Sequence, residues 1–319
     1  MRVFLTGVLS VIITLAAVAD VQAQVLIGAH VGHEGDRNWQ GDVEALEGAI
    51  GQKLAIDSHY ESWGGFPDLE TAKWDIAGGR MPMFSWRIFY LNGPNHGACA
   101  TASNIVAGKY DMQLKRQALQ IKSLAAPVLV RFNYEMTGNA QNTCFTGFEI
   151  ERDLPLAGQK YIVAWRHIVD IFRRNGATNV RWVWAPGAEA FQSDEWTLFY
   201  PGSDYVDWIG ADQYNQSDVP ASFSDNPAIQ AFVSAAAPLG KPLMVSETAA
   251  LNDPARHPDA QMVWLATARL FLRANPEIRA FVYWDAFSAN SGLPPSYQGS
   301  GYVLQGPGLT WFEFLAQHP

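Results

Sequence analysis

The chain has 319 residues, 48% of them hydrophobic and 17% charged. That is enough apolar side chain for a large core, and it excludes a disordered, low-complexity or collagen-like chain. A net charge of −9 without a basic block argues against nucleic acid or an anionic membrane surface as partner. Two cysteines are too few for a disulfide-dense miniature fold or a four-cysteine zinc module.

The first element is a leader. Met1-Arg2 gives a positive start, Val3 to Ala19 an apolar run broken by Thr6, Gly7, Ser10 and Thr14, and Val21-Gln22-Ala23 the small residues of a cleavage site. Residues 1–23 therefore read as a secretory signal peptide, and residues 24–319 as the secreted or periplasmic product. No later run approaches the ~18 apolar residues of a span, so no stable membrane association is expected after cleavage. In an oxidising compartment Cys99 and Cys144 are expected to form a disulfide.

Eight short apolar runs follow in order: Val25–Val31, Leu54–His59, Pro82–Trp86, Pro127–Asn133, Val180–Trp184, Val206–Ala211, Pro242–Glu247 and Ala280–Trp284. Most are nearly continuous in Val, Ile, Leu, Met and Phe, as in parallel strands covered on both faces. Helical spacing fills the gaps. Tyr161, Trp165, Ile168 and Phe172 share one helix face before Asn175-Gly176, Leu114, Ala118 and Ile121 repeat the pattern, and Val263–Leu272 carries an apolar helix ended at Asn275-Pro276. Eight strand–helix units in one chain predict a single-domain (β/α)8 TIM barrel. An open doubly wound sheet is the alternative, but no G-x-G-x-x-G turn follows the first strand.

Such a barrel places its site at the C-terminal strand ends. Strand four ends in Arg131-Phe132-Asn133-Tyr134-Glu135, where strict alternation puts Arg131, Asn133 and Glu135 on one side. Strand seven ends in Ser246-Glu247-Thr248, with Leu243 and Val245 stacked below Glu247 on the same alternation. Two carboxyl groups across a barrel mouth suit glycosidic cleavage, one protonating the leaving oxygen and the other acting at the anomeric carbon. They stand about 5–5.5 Å apart in retaining enzymes and roughly 6.5–9.5 Å apart in inverting ones. Trp86, Trp184, Trp284, Tyr60 and Tyr214 fall near strand ends, where aromatic faces can pack on sugar rings, and Tyr214 can donate to Glu247. Trp165, Trp264 and Trp311 read as core.

His30-Val31-Gly32-His33-Glu34 lacks the helical register of a zinc motif and is read as cleft lining, an opportunity shared by His59 and Trp63. No metal and no cofactor is expected. The absence of a G-x-S-x-G elbow disfavours a serine hydrolase.

At this point the sequence resembles glycoside hydrolase family 26, in the segments RFNYEMTG (131–138), WRHIVDIFRRNGATNVRWVWAPG (165–187), YPGSDYVDWIGADQYN (200–215) and KPLMVSET (241–248). The resemblance implies a retaining β-mannanase-type hydrolase, with Glu135 as general acid/base and Glu247 as nucleophile. It further implies that Tyr214 orients the nucleophile, Arg131 helps hold it ionised and Trp284 floors the sugar subsite. Two departures stand out: Tyr134 replaces a histidine beside the acid/base, and Asn139–Cys144 replaces a tryptophan-rich run. Both bear on which sugar is read. The expected activity is endo-hydrolysis of a β-linked polysaccharide, first of all β-1,4-mannan, by a monomer. A β-glucan, β-xylan or bacterial exopolysaccharide is the alternative polymer, and a sugar-binding barrel without turnover the alternative class.

Overall fold

The structure, a computed structural model, describes residues 24–32, 39–89, 98–137, 153–217, 219–251, 256–286 and 301–319. The expected leader, Cys144, His33, Glu34 and the Asn139–Cys144 segment lie outside the described residues. Among the described residues no cysteine is free, and no helix is long and apolar enough to cross a membrane.

All eight apolar runs form strands: β1 (Leu26–Val31), β2 (Ile56–Glu61), β3 (Met81–Trp86), β4 (Val128–Phe132), β5 (Val180–Trp184), β6 (Trp208–Asn215), β7 (Leu243–Ala250) and β8 (Ile278–Asp285). They pair in sequence order, all parallel, and β1 closes on β8 from Leu26↔Ala280 to Val31↔Asp285. Helices separate the strands, among them α1 (Trp39–Ile50), α2 (Leu69–Ala77), α3 (Ala102–Val106), α4 (Asp111–Ser123) and α5 (Leu154–Arg174). The fold is the (β/α)8 barrel that the alternation predicts.

Period-two alternation divides the core into two layers. Ile56, Met83, Leu129, Val183, Ala185, Met244, Ala280 and Val282 fill the barrel interior. Their strand neighbours, including Phe84, Val130, Trp182, Leu243 and Val245, pack outward against the helices. Helix starts carry their own signals. The Asp68 side chain accepts from the Glu70 and Thr71 amides at the start of α2, and Asp153 accepts from Leu156 at the start of α5.

Between β6 and β7 the register passes from Ala211↔Val245 directly to Asp212↔Glu247. Ser246 is thus an extra residue, a bulge that changes which side chains face inward. At the opposite, N-terminal face, Gln24, Val25, His318 and Pro319 line one cleft beside Arg269, whose Nε donates to the His318 carbonyl at 2.7 Å.

Candidate active site

The bulge aims Glu247. On strict alternation Glu247 would follow Leu243 and Val245 to the helix side, so the expected apolar stack beneath it is not found. Instead Met244 and Ser246 face inward. The added residue brings Glu247 inward as well, and Thr248 turns out to accept from Trp264 Nε1 at 3.0 Å. The Glu247 carboxylate takes three donors: Tyr214 on Oε1, and Tyr60 and Arg131 on Oε2. They come from β6, β2 and β4, and Glu247 is 9% exposed.

Arg131 is fully buried and held in turn. Its Nη1 donates to both Asp212 oxygens at 2.7 Å and its Nε to Ser85 Oγ at 3.0 Å, while Ser246 Oγ donates to Asp212 at 2.6 Å. Gly210 lies beneath this network. A Cβ there would stand 2.6 Å from Ser246 Oγ, so only glycine leaves room for the bond to Asp212.

The electrostatics follow from these contacts. Burial pushes the Glu247 carboxyl up, but the Arg131 guanidinium and the hydrogen bonds from Tyr214, Tyr60 and Arg131 outweigh it and leave the group below the ordinary carboxylate range. Burial pushes Asp212 up, Arg131 pulls against it, and the charges of Glu247 and Glu135 add to the rise. Two carboxyl groups share one guanidinium, and only the one at the mouth is drawn below the ordinary range.

Strand β4 stops at Phe132, so the regular alternation expected through Glu135 does not hold. Asn133 and Glu135 adopt left-handed backbone, with φ of 41° and 49°, which costs a residue with a Cβ on the order of 1 kcal/mol or more. The turn stays tied to both neighbouring strands: the Asn133 amide donates to Trp86 O and the Glu135 amide to Ala185 O, each at 2.8 Å. Glu135 is partly exposed. Its charge acts on Tyr134, Asp212 and Tyr214, which places it over the same mouth as Glu247.

Of the other expected residues, Tyr134 lies with its ring 4.1 Å from the Arg131 guanidinium carbon, and its hydroxyl accepts from Arg87 Nε at 2.7 Å. Trp284 borders the mouth beside His30 and Tyr302, at ring distances of 5.9 and 5.5 Å. Trp86 and Trp184 are corrections. Trp86 is fully buried in the outer layer, stacked between Trp63 and Phe66 at 4.8 and 4.3 Å, and Trp184 packs against Tyr200 at 5.1 Å. Both follow an inward residue, Ser85 and Val183, so alternation sends them to the helices. His59 also leaves the cleft, since Tyr60 beside it is the inward residue of β2, and Trp63, beyond the end of that strand, is buried against Trp86. Trp165 and Trp264 are core as expected, and Trp311 packs partly buried against it.

Sequence reasoning missed Asp212, Ser85 and Ser246 and noted Tyr60 only as a strand-end aromatic. A signal for Asp212 existed, because it shares the inward parity of Tyr214 on β6. His30 does line the mouth. Its Nδ1 bonds the Ser58 carbonyl at 2.7 Å, and burial, opposed by that bond, brings its pKa down to about 4.

The model for glycosyl hydrolase family 26 matches residues 24–241. Endoglucanase H of Acetivibrio thermocellus is 27% identical over 252 residues, 76% of this chain and 26% of that protein. Mannan endo-1,4-β-mannosidase of Bacillus subtilis is 28% identical over 202 residues, 60% of this chain and 50% of that one. The chain thus spans half or less of these curated relatives. Among solved structures, a Bacillus subtilis mannanase superposes with a TM-score of 0.61 at 19% identity, covering 91% of this chain and 85% of its own. That likeness speaks for the fold.

Proposed function

The chain belongs to glycosyl hydrolase family 26, and from that premise we propose that it is a retaining endo-β-glycosidase acting on a β-linked polysaccharide, with β-1,4-mannan the leading substrate. The observation that carries the reading is the Glu247 carboxylate fixed by Tyr60, Tyr214 and Arg131 at the barrel mouth, with Glu135 on the turn that follows the end of β4.

In this mechanism Glu247 attacks the anomeric carbon while Glu135 protonates the departing glycosidic oxygen. The resulting glycosyl-enzyme is released when Glu135 takes a proton from water and the water oxygen attacks the same carbon. The three donors hold Glu247 in its attacking orientation and charge state, so little reorganisation is needed as the bond forms. No cofactor enters these steps. Export, the Cys99–Cys144 bridge and action as a monomer belong to the same reading.

The test is a panel of purified mannan, glucan, xylan and bacterial exopolysaccharide scored by released reducing ends. Wild type is expected to act on mannan, and Glu135→Gln or Glu247→Gln to lose roughly 10²–10⁴-fold in kcat. Unchanged release by Glu135→Gln would refute the acid assignment. The endoglucanase relative supports a β-glucan as second substrate. Binding of a polymer without release by wild type would instead mark a sugar-binding barrel.

A further inference from the structure

Away from the mouth, on the outer face of β2, two aspartates and a histidine converge. Asp57 and His59 alternate outward from β2, and Asp75 reaches them from α2. His59 Nε2 stands 2.8 Å from Asp75 Oδ2 and 3.7 Å from Asp57 Oδ2, and the three donor atoms lie within 4.8 Å of one another. Asp57 is 1% exposed and Asp75 0%.

Two features of this cluster point to an absent ligand. The first is unmet polarity: Asp57 Oδ2, the atom facing His59, and Asp75 Oδ1 are both buried with no hydrogen-bond partner. A buried carboxylate oxygen left that way is costly. The second is charge. The neighbouring cation, Arg80, is engaged by Glu47 through two bonds of 2.6 Å, and Lys53 also turns to Glu47 at 2.7 Å. Neither cation bonds the aspartates: Arg80 reaches them only through its charge, and the two carboxyl groups otherwise meet each other and the imidazole.

We propose that Asp57, His59 and Asp75 form a structural divalent-cation site, of the one-imidazole, two-carboxylate class that suits Zn²⁺. Bonds of about 2.0–2.2 Å place neighbouring ligand atoms of a tetrahedral centre about 3.3–3.5 Å apart. The His59–Asp57 distance of 3.7 Å is near this, and the His59–Asp75 hydrogen bond of 2.8 Å would give way to the ion by a few tenths of an ångström. Trp39 packs edge-on over the imidazole at 5.1 Å and Phe84 flanks it at 5.8 Å, fixing its plane. The His59 side chain is 14% exposed, which leaves a route for the ion and a fourth position for water. The ion would clip α2 to β2, independently of the hydrolase reading.

The experiment uses the full chain, stripped with a chelator and then titrated with Zn²⁺ or Co²⁺. Wild type is expected to take up one Zn²⁺ and to gain roughly 5 °C in Tm at a hundredfold excess over Kd. Co²⁺ is expected to give the visible absorption of a tetrahedral centre. Asp75→Asn should weaken uptake at least about a hundredfold and remove the Tm gain. His59→Gln reads the same loss should the first variant fail to fold. Wild type that takes up no Zn²⁺, or uptake and a Tm gain that survive in both variants, overturns the site. The two carboxylates would then hold a proton between them.

Discussion

A single carboxylate, Glu247, receives donors from three strands, and each of those bonds is charge-assisted. Such bonds are worth about 1.5–3 kcal/mol, so Tyr60→Phe is expected to lower kcat/KM roughly 10–150-fold. The sign of its pH effect follows from the electrostatics. The three donors hold the Glu247 pKa below the ordinary range, so the ionised form persists into acid. Removing the Tyr60 hydroxyl raises that pKa, and the acid limb of the kcat/KM profile should move to higher pH. An unmoved limb would separate Tyr60 from the charge state of Glu247. The two glutamates were legible as isolated carboxylates at strand ends. Of their partners, Tyr214 and Arg131 were legible, the first from its place at the end of the neighbouring strand and the second from the family resemblance. The contacts of Tyr60 and Asp212 were not, because these side chains meet Glu247 and Arg131 only once the sheet has closed.

Strand geometry decides which aromatic rings face sugar. Trp86→Ala should destabilise the protein by about 3–5 kcal/mol in denaturant unfolding, the cost of emptying a stacked core site, with KM unchanged in the folded fraction. Trp284→Ala should do the reverse, raising KM roughly tenfold, or about 1.4 kcal/mol, with little change in Tm. Read as strand-end residues the two tryptophans look equivalent. They differ because Ser85 and Val282 set the parity of their strands, a fact available from alternation but overridden in reading by proximity to the end. The Glu247 case runs the other way: alternation applied faithfully misplaces it, since one extra residue at Ser246 has no sequence mark. Strands β6, β7 and β8 also run beyond their apolar runs, because polar and aromatic residues at the mouth continue the ladder.

For the molecule as a whole, buried acids make stability pH-dependent. Asp285, at the end of β8, is pushed up to about 7 by burial; the Leu304 amide, bonded at 2.7 Å, pulls it down, and Asp42 adds to the rise. The folded chain therefore keeps a proton that the unfolded chain releases above about pH 4. Folding is penalised progressively from about pH 4 to about pH 7 and by a constant amount beyond. Asp285→Asn retains an acceptor for Leu304 without that proton. Its Tm relative to wild type is expected to climb across this interval and then level off, read by calorimetry at stepped pH. A difference that stayed flat would remove Asp285 from the pH dependence. Barrel architecture itself was readable from eight alternations of apolar run and helix, which few other folds accommodate.

Gln24 and Pro319 share one cleft on the face of the barrel opposite the mouth. In a protein trimmed to residues 24–319 a short peptide could join these two points, and new ends could then be opened in a surface connection between helix and strand on that same face. Such a circular permutant should keep the proposed hydrolytic activity. By the same token, a bead or fusion partner attached at either of these points would leave the barrel mouth turned outward, open to the proposed polymeric substrate.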